Sequence, residues 1–193
     1  MTKYKGVGLK SVKSYKGVTL IEVMIVIAIA AILLAVAAPS FQRMVVRSNI
    51  ESLVDGFATA VITARTEAAS RGREVRVCAN DACTSNDWSG GWFVVDSNGT
   101  ELAAFNNVDG YRASLKTEAD VNATSITFNA QGYNQDQVRY IFSACSPSGG
   151  VDIVRGVTVE FSGRAYRTDA AGTSKEAFFD KGDGTFTEVT LGC

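Results

Sequence analysis

The chain has 193 residues, 46% of them hydrophobic, a formal net charge of −1 and no histidine. The missing histidine excludes Ser-His-Asp and Cys-His nucleophilic arrangements, His-containing metal sites and the usual neutral-pH proton shuttle. All 20 acidic residues but only 14 basic ones lie after residue 17, and this acidic excess argues against a broad, sequence-independent nucleic-acid surface.

The first 17 residues carry Lys3, Lys5, Lys10, Lys13 and Lys16 and no acid. An apolar run from Val18 to Ala38 follows, interrupted only by Thr19 and Glu22. As a helix it would measure roughly 31 Å, enough to cross a hydrocarbon core. The positive flank holds the N-terminus in the cytoplasm, so everything after the run is expected on the far side. The run is too long for a cleaved secretory signal and ends in Ala38-Pro39-Ser40, a weak cleavage site, while a plain membrane anchor stays open as an alternative. Glu22 is the anomaly, because a carboxylate at mid-membrane costs roughly 2.5–3.5 kcal/mol.

Beyond Pro39 the helical pattern resumes. Val46, Ile50, Leu53, Val54, Phe57, Val61, Ala64 and Ala68 recur at spacings of three and four and form one apolar stripe. Arg43, Arg47, Glu51, Asp55, Arg65 and Arg71 fall largely on other faces, and Gly72 is a suitable stop. A helix from Val18 to Arg71 would be roughly 80 Å long, with a kink expected at Pro39. It cannot bury its whole length against a domain of about 120 residues. Its first half therefore packs on lipid or on other copies of such a helix.

From Arg73 onward the pattern changes to short alternating or β-branched runs: EVRVCA, GWFVVD, ELAAF, SITF, VRYIFSAC and DIVRGVTVEF, separated by turn clusters such as DSNG and SPSGG. The closing FFDKGDGTFTEVTLGC reads as a hairpin, and Asp180 and Asp183 as turn residues rather than calcium ligands, since EF-hand spacing is absent. The predicted class is α+β, a long N-terminal helix whose second half packs on an antiparallel, β-rich head. Trp88 and Trp92 read as core anchors around a glycine-permitted turn, against the alternative of a binding surface. Cys78, Cys83, Cys145 and Cys193 lie on the exported side, where disulfides form. The preferred pairing joins Cys78 to Cys83 in a local loop and Cys145 to Cys193, with a four-cysteine zinc site as the competing reading. No catalytic constellation is visible, and neither an enzymatic activity nor a cofactor is expected.

The junction Lys16-Gly17-Val18-Thr19-Leu20-Ile21-Glu22, running into an apolar helix that meets Pro39, resembles the class III signal of type IV prepilins. The resemblance implies that residues 1–17 are a leader removed by a prepilin peptidase after Gly17, and that Val18 is the N-methylated first residue. Phenylalanine is usual there, so Val18 is a departure. It implies a transmembrane and filament-core segment at 18–38, an amphipathic half-helix at 39–71 and a periplasmic or extracellular head at 72–193. Glu22 and Pro39 then take the family's assembly positions. Glu22 would meet the positive N-terminus of a neighbouring subunit, fixing axial register, because a mismatched neighbour leaves a buried charge unpaired.

The head resembles the FimT/FimU minor pilins and the related GspH pseudopilins, on VCANDACTSNDWSGGWFVVDSNG at residues 77–99 and FSGRAYR at 161–167. The function implied is that of a minor pilin in the assembly-priming complex or tip of a type IV pilus, and the alternative is a GspH-like pseudopilin of type II secretion. The partners implied are other minor and major pilins and the inner-membrane assembly platform. The protein would sit in the inner membrane as a single-pass protein, head in the periplasm, before entering the fibre. FimT-like pilins associate double-stranded DNA binding with a Gly-Arg-x-Arg motif. Here Gly163-Arg164-Ala165-Tyr166-Arg167 has one extra residue, which on an extended strand puts Arg164 and Arg167 on opposite faces. Arg155 and Arg139 would extend the patch, and Tyr166 would stack on a base. The alternative is that these arginines are solvated or pair with Asp152, Glu160 and Asp169.

Overall fold

The computed structural model describes residues 17–106, 110–117, 119, 121–146, 153–168, 176–180 and 186–190, the last two segments by backbone alone. Helix α1 spans Leu20–Arg71. Its residues belong to two compact units, one ending at Phe41 and one beginning at Gln42. The helix runs through Pro39, whose side chain lies outside the described set.

In the second unit the predicted stripe becomes the spine of the core. Ile50, Leu53, Val54, Phe57, Val61, Ala64 and Ala68 are buried, joined by Ala60, and Val46 is half-buried at the margin. The helix ends where Gly72 takes a φ of 64°, a left-handed conformation that costs a residue without Cβ little.

Two four-stranded antiparallel sheets pack against this stripe. The first has the order β3-β2-β1-β5, from β1 (Val75–Cys78), β2 (Gly91–Asp96), β3 (Glu101–Asn106) and β5 (Ser125–Phe128). The second has the order β4-β6-β7-β8, from β4 (Arg112–Thr117), β6 (Tyr140–Cys145), β7 (Val154–Val159) and β8 (Ala165–Thr168). A separate ribbon pairs β9 (Glu176–Asp180) with β10 (Phe186–Thr190), at the predicted closing hairpin. The α+β class is therefore the one observed. Strand β4, RASLKT, was not predicted, because its only strongly apolar side chain is Leu115 and the other buried position on that face is held by the small Ala113.

Phe57 links the helix to both sheets. Its ring stacks on Phe142 at 4.0 Å and meets Trp88 and Trp92 edge-on at 5.9 and 5.6 Å. Both tryptophans are fully buried, and the Trp88 indole N–H donates to the Ala123 carbonyl at 2.9 Å. They are core residues, and the binding-surface alternative falls away. Cys78 and Cys83 form a disulfide, which overturns the four-cysteine zinc reading. Cys145 is also disulfide-bonded. Its expected partner Cys193 lies outside the described residues, as does Asp183.

Candidate functional site

Two regions carry the residues singled out by sequence. The first is the start of α1. Thr19 caps it: its Oγ1 accepts from the Glu22 N–H at 3.3 Å, and its carbonyl accepts from the Glu22 and Val23 N–H groups at 3.1 and 3.3 Å. Glu22 thus occupies the third helical position, where a negative charge suits the positive end of the helix dipole. Thr-x-x-Glu is the spacing of a capping box, a signal already present in the sequence. The Glu22 carboxylate itself has no hydrogen bond or ion pair among the described residues.

The helix surface beyond it is apolar and open. Leu20, Ile21, Ile32, Leu33 and Leu34 are 79, 67, 67, 64 and 67% exposed, and Val18 is 68% exposed. Among the described residues no single helix is long and apolar enough to cross a membrane, although Leu20–Ala35 and Ser40–Arg71 meet that test as a pair.

The second region is the β7–β8 hairpin. Its loop, Phe161-Ser162-Gly163, is closed by Glu160 N–H donating to the Arg164 carbonyl at 2.9 Å, and Gly163 sits at φ 73°. The register pairs Val157 with Arg167, Thr158 with Tyr166 and Val159 with Ala165. Val157 and Val159 are core residues, so Arg167 shares the helix-facing side of the sheet, and Tyr166 lies on the other. By the same alternation Arg155 sides with Arg167, while Arg139 and Arg164 side with Tyr166.

Most of these groups have partners. Arg167 reaches back to Asp55 on α1, with its Nε at 3.0 Å and its terminal nitrogen in closer contact still. Asp55 is 112 positions away in sequence, so no local pattern announces it. Arg155 donates to the Val154 carbonyl at 2.9 Å. The hydrogen bond from Arg47, supported by the charges of Arg167 and Arg155, holds the Glu51 carboxyl below the usual carboxylate range. On the opposite side, Arg139 pairs with Glu160 at 2.8 Å and lies 5.2 Å from the centre of the Phe161 ring. The Tyr166 hydroxyl donates to the other oxygen of Glu160 at 2.6 Å, and burial followed by that carboxylate pushes its phenol up to about 12. Of the five residues grouped as a DNA patch, only the Arg164 side chain is exposed with no ion pair or hydrogen bond among the described residues. The sequence-based alternative named Glu160 correctly as a partner, while Asp152 and Asp169 lie outside the described residues.

The family described as type II transport protein GspH matches residues 53–163, and a prokaryotic N-terminal methylation motif matches residues 12–38. The chain belongs to the GspH family of type IV pilin-like proteins. Two crystal structures of the Pseudomonas aeruginosa type IV minor pilin FimU share its fold, with TM-scores of 0.51 and 0.50 at 22% identity. They cover 65 and 63% of this chain and 92 and 94% of theirs. A fimbrial protein of Moraxella nonliquefaciens is 47% identical over 53 residues, 26% of this chain and 34% of that protein, so the match spans about a third of the relative's length. The methylation motif lies at the start of this GspH-family chain and overlaps the first half of α1. It contains Gly17, Val18 and Glu22, whereas the GspH match stops at Gly163, before Arg164, Tyr166 and Arg167.

Proposed function

We propose that this protein is a minor pilin of a type IV pilus, held by residues 18–38 in the inner membrane with its head in the periplasm until it joins the priming complex or tip. The observation that carries the reading is the exposed apolar helix with a lone carboxylate at its start. Twelve large apolar residues between Val18 and Leu34 are exposed. Covering them is worth on the order of 20 kcal/mol at about 1.5–3 kcal/mol each. That exceeds the net stability of a typical domain, about 5–15 kcal/mol, so the surface requires lipid or neighbouring helices.

Gly17 supports cleavage at the predicted bond. A Cβ built there meets nothing within 4 Å and its φ is not positive, so the described fold places no demand for glycine at this position. Cleavage after it and methylation of Val18 put the new amine four residues before Glu22. In a bundle, that carboxylate pairs with a neighbour's N-terminus and sets the axial register. Pro39 would loosen the helix between its two halves.

Glu22→Ala tests this: it is expected to be inserted and processed normally yet be missing from sheared fibres. Normal incorporation of that variant would overturn the assembly role. The GspH match favours a second reading, a pseudopilin of type II secretion. A deletion strain scored for pili, transformation and protein secretion separates them, and loss of secretion with intact pili would replace the leading reading. DNA uptake has less support, because the five candidate residues lie on two sides of one sheet and four of them are engaged.

A further inference from the structure

Beside the β7–β8 hairpin, the segment that links β5 to β6 borders an open groove of about 590 Å³, within the size range of small-molecule sites. Its lining includes two exposed rings, Tyr133 at 55% and Phe161 at 40%, and no charged side chain.

The walls are fixed by the linker itself. Asn129 Oδ1 accepts from the N–H groups of Gln131 and Tyr133, both at 3.0 Å. Asn134 spans its own turn, donating to the Val138 carbonyl at 2.7 Å and accepting from the Asp136 N–H at 3.1 Å. The Asn134 N–H donates to the Phe161 carbonyl at 3.1 Å, which ties the linker to the hairpin. The Tyr140 hydroxyl donates to Asp136 at 2.7 Å, and burial together with that carboxylate raises its pKa.

Within this frame several polar groups are left unused. The side-chain amides of Gln135 and Gln137 and the hydroxyls of Tyr133 and Ser162 make no hydrogen bond among the described residues. Gln137 has a φ of 52°, a left-handed conformation that glycine or asparagine would adopt at lower cost. A long amide kept in a costly conformation at the rim of a groove is an observation that points to function.

From two aromatic faces, free amides and hydroxyls, and no charge, we infer that the groove binds neutral carbohydrate. The apolar C–H face of a sugar ring stacks on an aromatic ring, and its hydroxyls, which donate and accept, match amides that do the same. A phosphate-bearing ligand would need a free cation. Arg139 is held over Phe161 and paired with Glu160, and Arg164, two residues beyond Ser162 and unpaired among the described residues, is not among the residues that line the groove. The inference stands whether the filament is a pilus or a pseudopilus.

The test is saturation-transfer NMR on the full chain in a detergent without sugar head groups, using chitotetraose, maltotetraose, a heparin tetrasaccharide and octathymidylate. At least one neutral tetrasaccharide is expected to receive saturation at about 5 mM, with affinity falling at least roughly tenfold in Tyr133→Ala and in Gln137→Gly. Gln137→Gly relieves the backbone, so its thermal midpoint is expected to hold or rise while binding falls, separating the lost amide from unfolding. No transfer to either neutral sugar, equal binding in both variants, or transfer only to heparin or the oligonucleotide would overturn the assignment.

Discussion

Gly163→Ala tests how the hairpin is built. The substitution demands a left-handed conformation of alanine, about 1–2 kcal/mol. It also drives a new Cβ to 2.5 Å from the Gly132 carbonyl oxygen and 3.1 Å from the Phe128 ring. The first neighbour is backbone, fixed in a turn by the Gly132 N–H donating to the Asn129 carbonyl at 2.8 Å, so relief requires the hairpin and the β5–β6 linker to separate. Overpacking of this kind adds about 1–3 kcal/mol, for a total near 3 kcal/mol. In a chain of 193 residues that corresponds to a fall of roughly 6–12 °C in the thermal midpoint. Gly99→Ala is the control. Gly99 has a φ of 80° but nothing within 4 Å of an added Cβ, so only the conformational part, about 1–2 kcal/mol, is lost. Thermal unfolding followed by the fluorescence of buried Trp88 and Trp92 measures both variants. Equal midpoints for the two would refute the steric reasoning.

Phe57→Ala removes the ring that touches both sheets and is expected to destabilise the head by about 3–5 kcal/mol, while Ile62→Ala, at a 58% exposed position of the same helix, stays within about 0.5 kcal/mol in the same melts. The Arg167–Asp55 pair is more than half exposed on both sides, so a double-mutant cycle with alanine is expected to return a coupling below about 1 kcal/mol that shrinks with added salt. The Asp96 carboxyl accepts from the backbone N–H groups of Thr100 and Asn98 at 2.9 and 2.8 Å, and these bonds, chiefly that from Thr100, hold its pKa below the ordinary value. A depressed folded pKa contributes stability that is present above the unfolded value, about 3.9, and is lost as pH falls through the folded one. Melts between neutral pH and strong acid are therefore expected to show a smaller acid-induced loss in Asp96→Asn, which keeps the accepting oxygen but does not titrate.

The amino-acid sequence by itself determined the helix, the β-rich head and the division of the helix into an apolar and an amphipathic half. These properties follow from periodicity, and periodicity is local: the stripe from Ile50 to Ala68 is the buried one, and the run from Val18 to Leu34 is the exposed one. Strand β4 escaped because its pairing with β6 makes Arg112–Thr117 a strand, whereas its own side chains carry little apolar alternation. The hairpin arginines show the same limit. Their spacing already implied opposite faces, but only tertiary contact could bring Asp55 to Arg167 across 112 residues and both Arg139 and Tyr166 to one carboxylate of Glu160. Gly163 belonged in sequence to an arginine motif; in three dimensions its missing side chain is explained by the Gly132 carbonyl. The groove is tertiary in origin as well, since Tyr133, Gln137 and Phe161 share no periodicity and meet only because Asn134 ties linker to hairpin. Segments whose partners are their own near neighbours are legible in order along the chain. Contacts between distant segments become visible only when the sheets close around the helix.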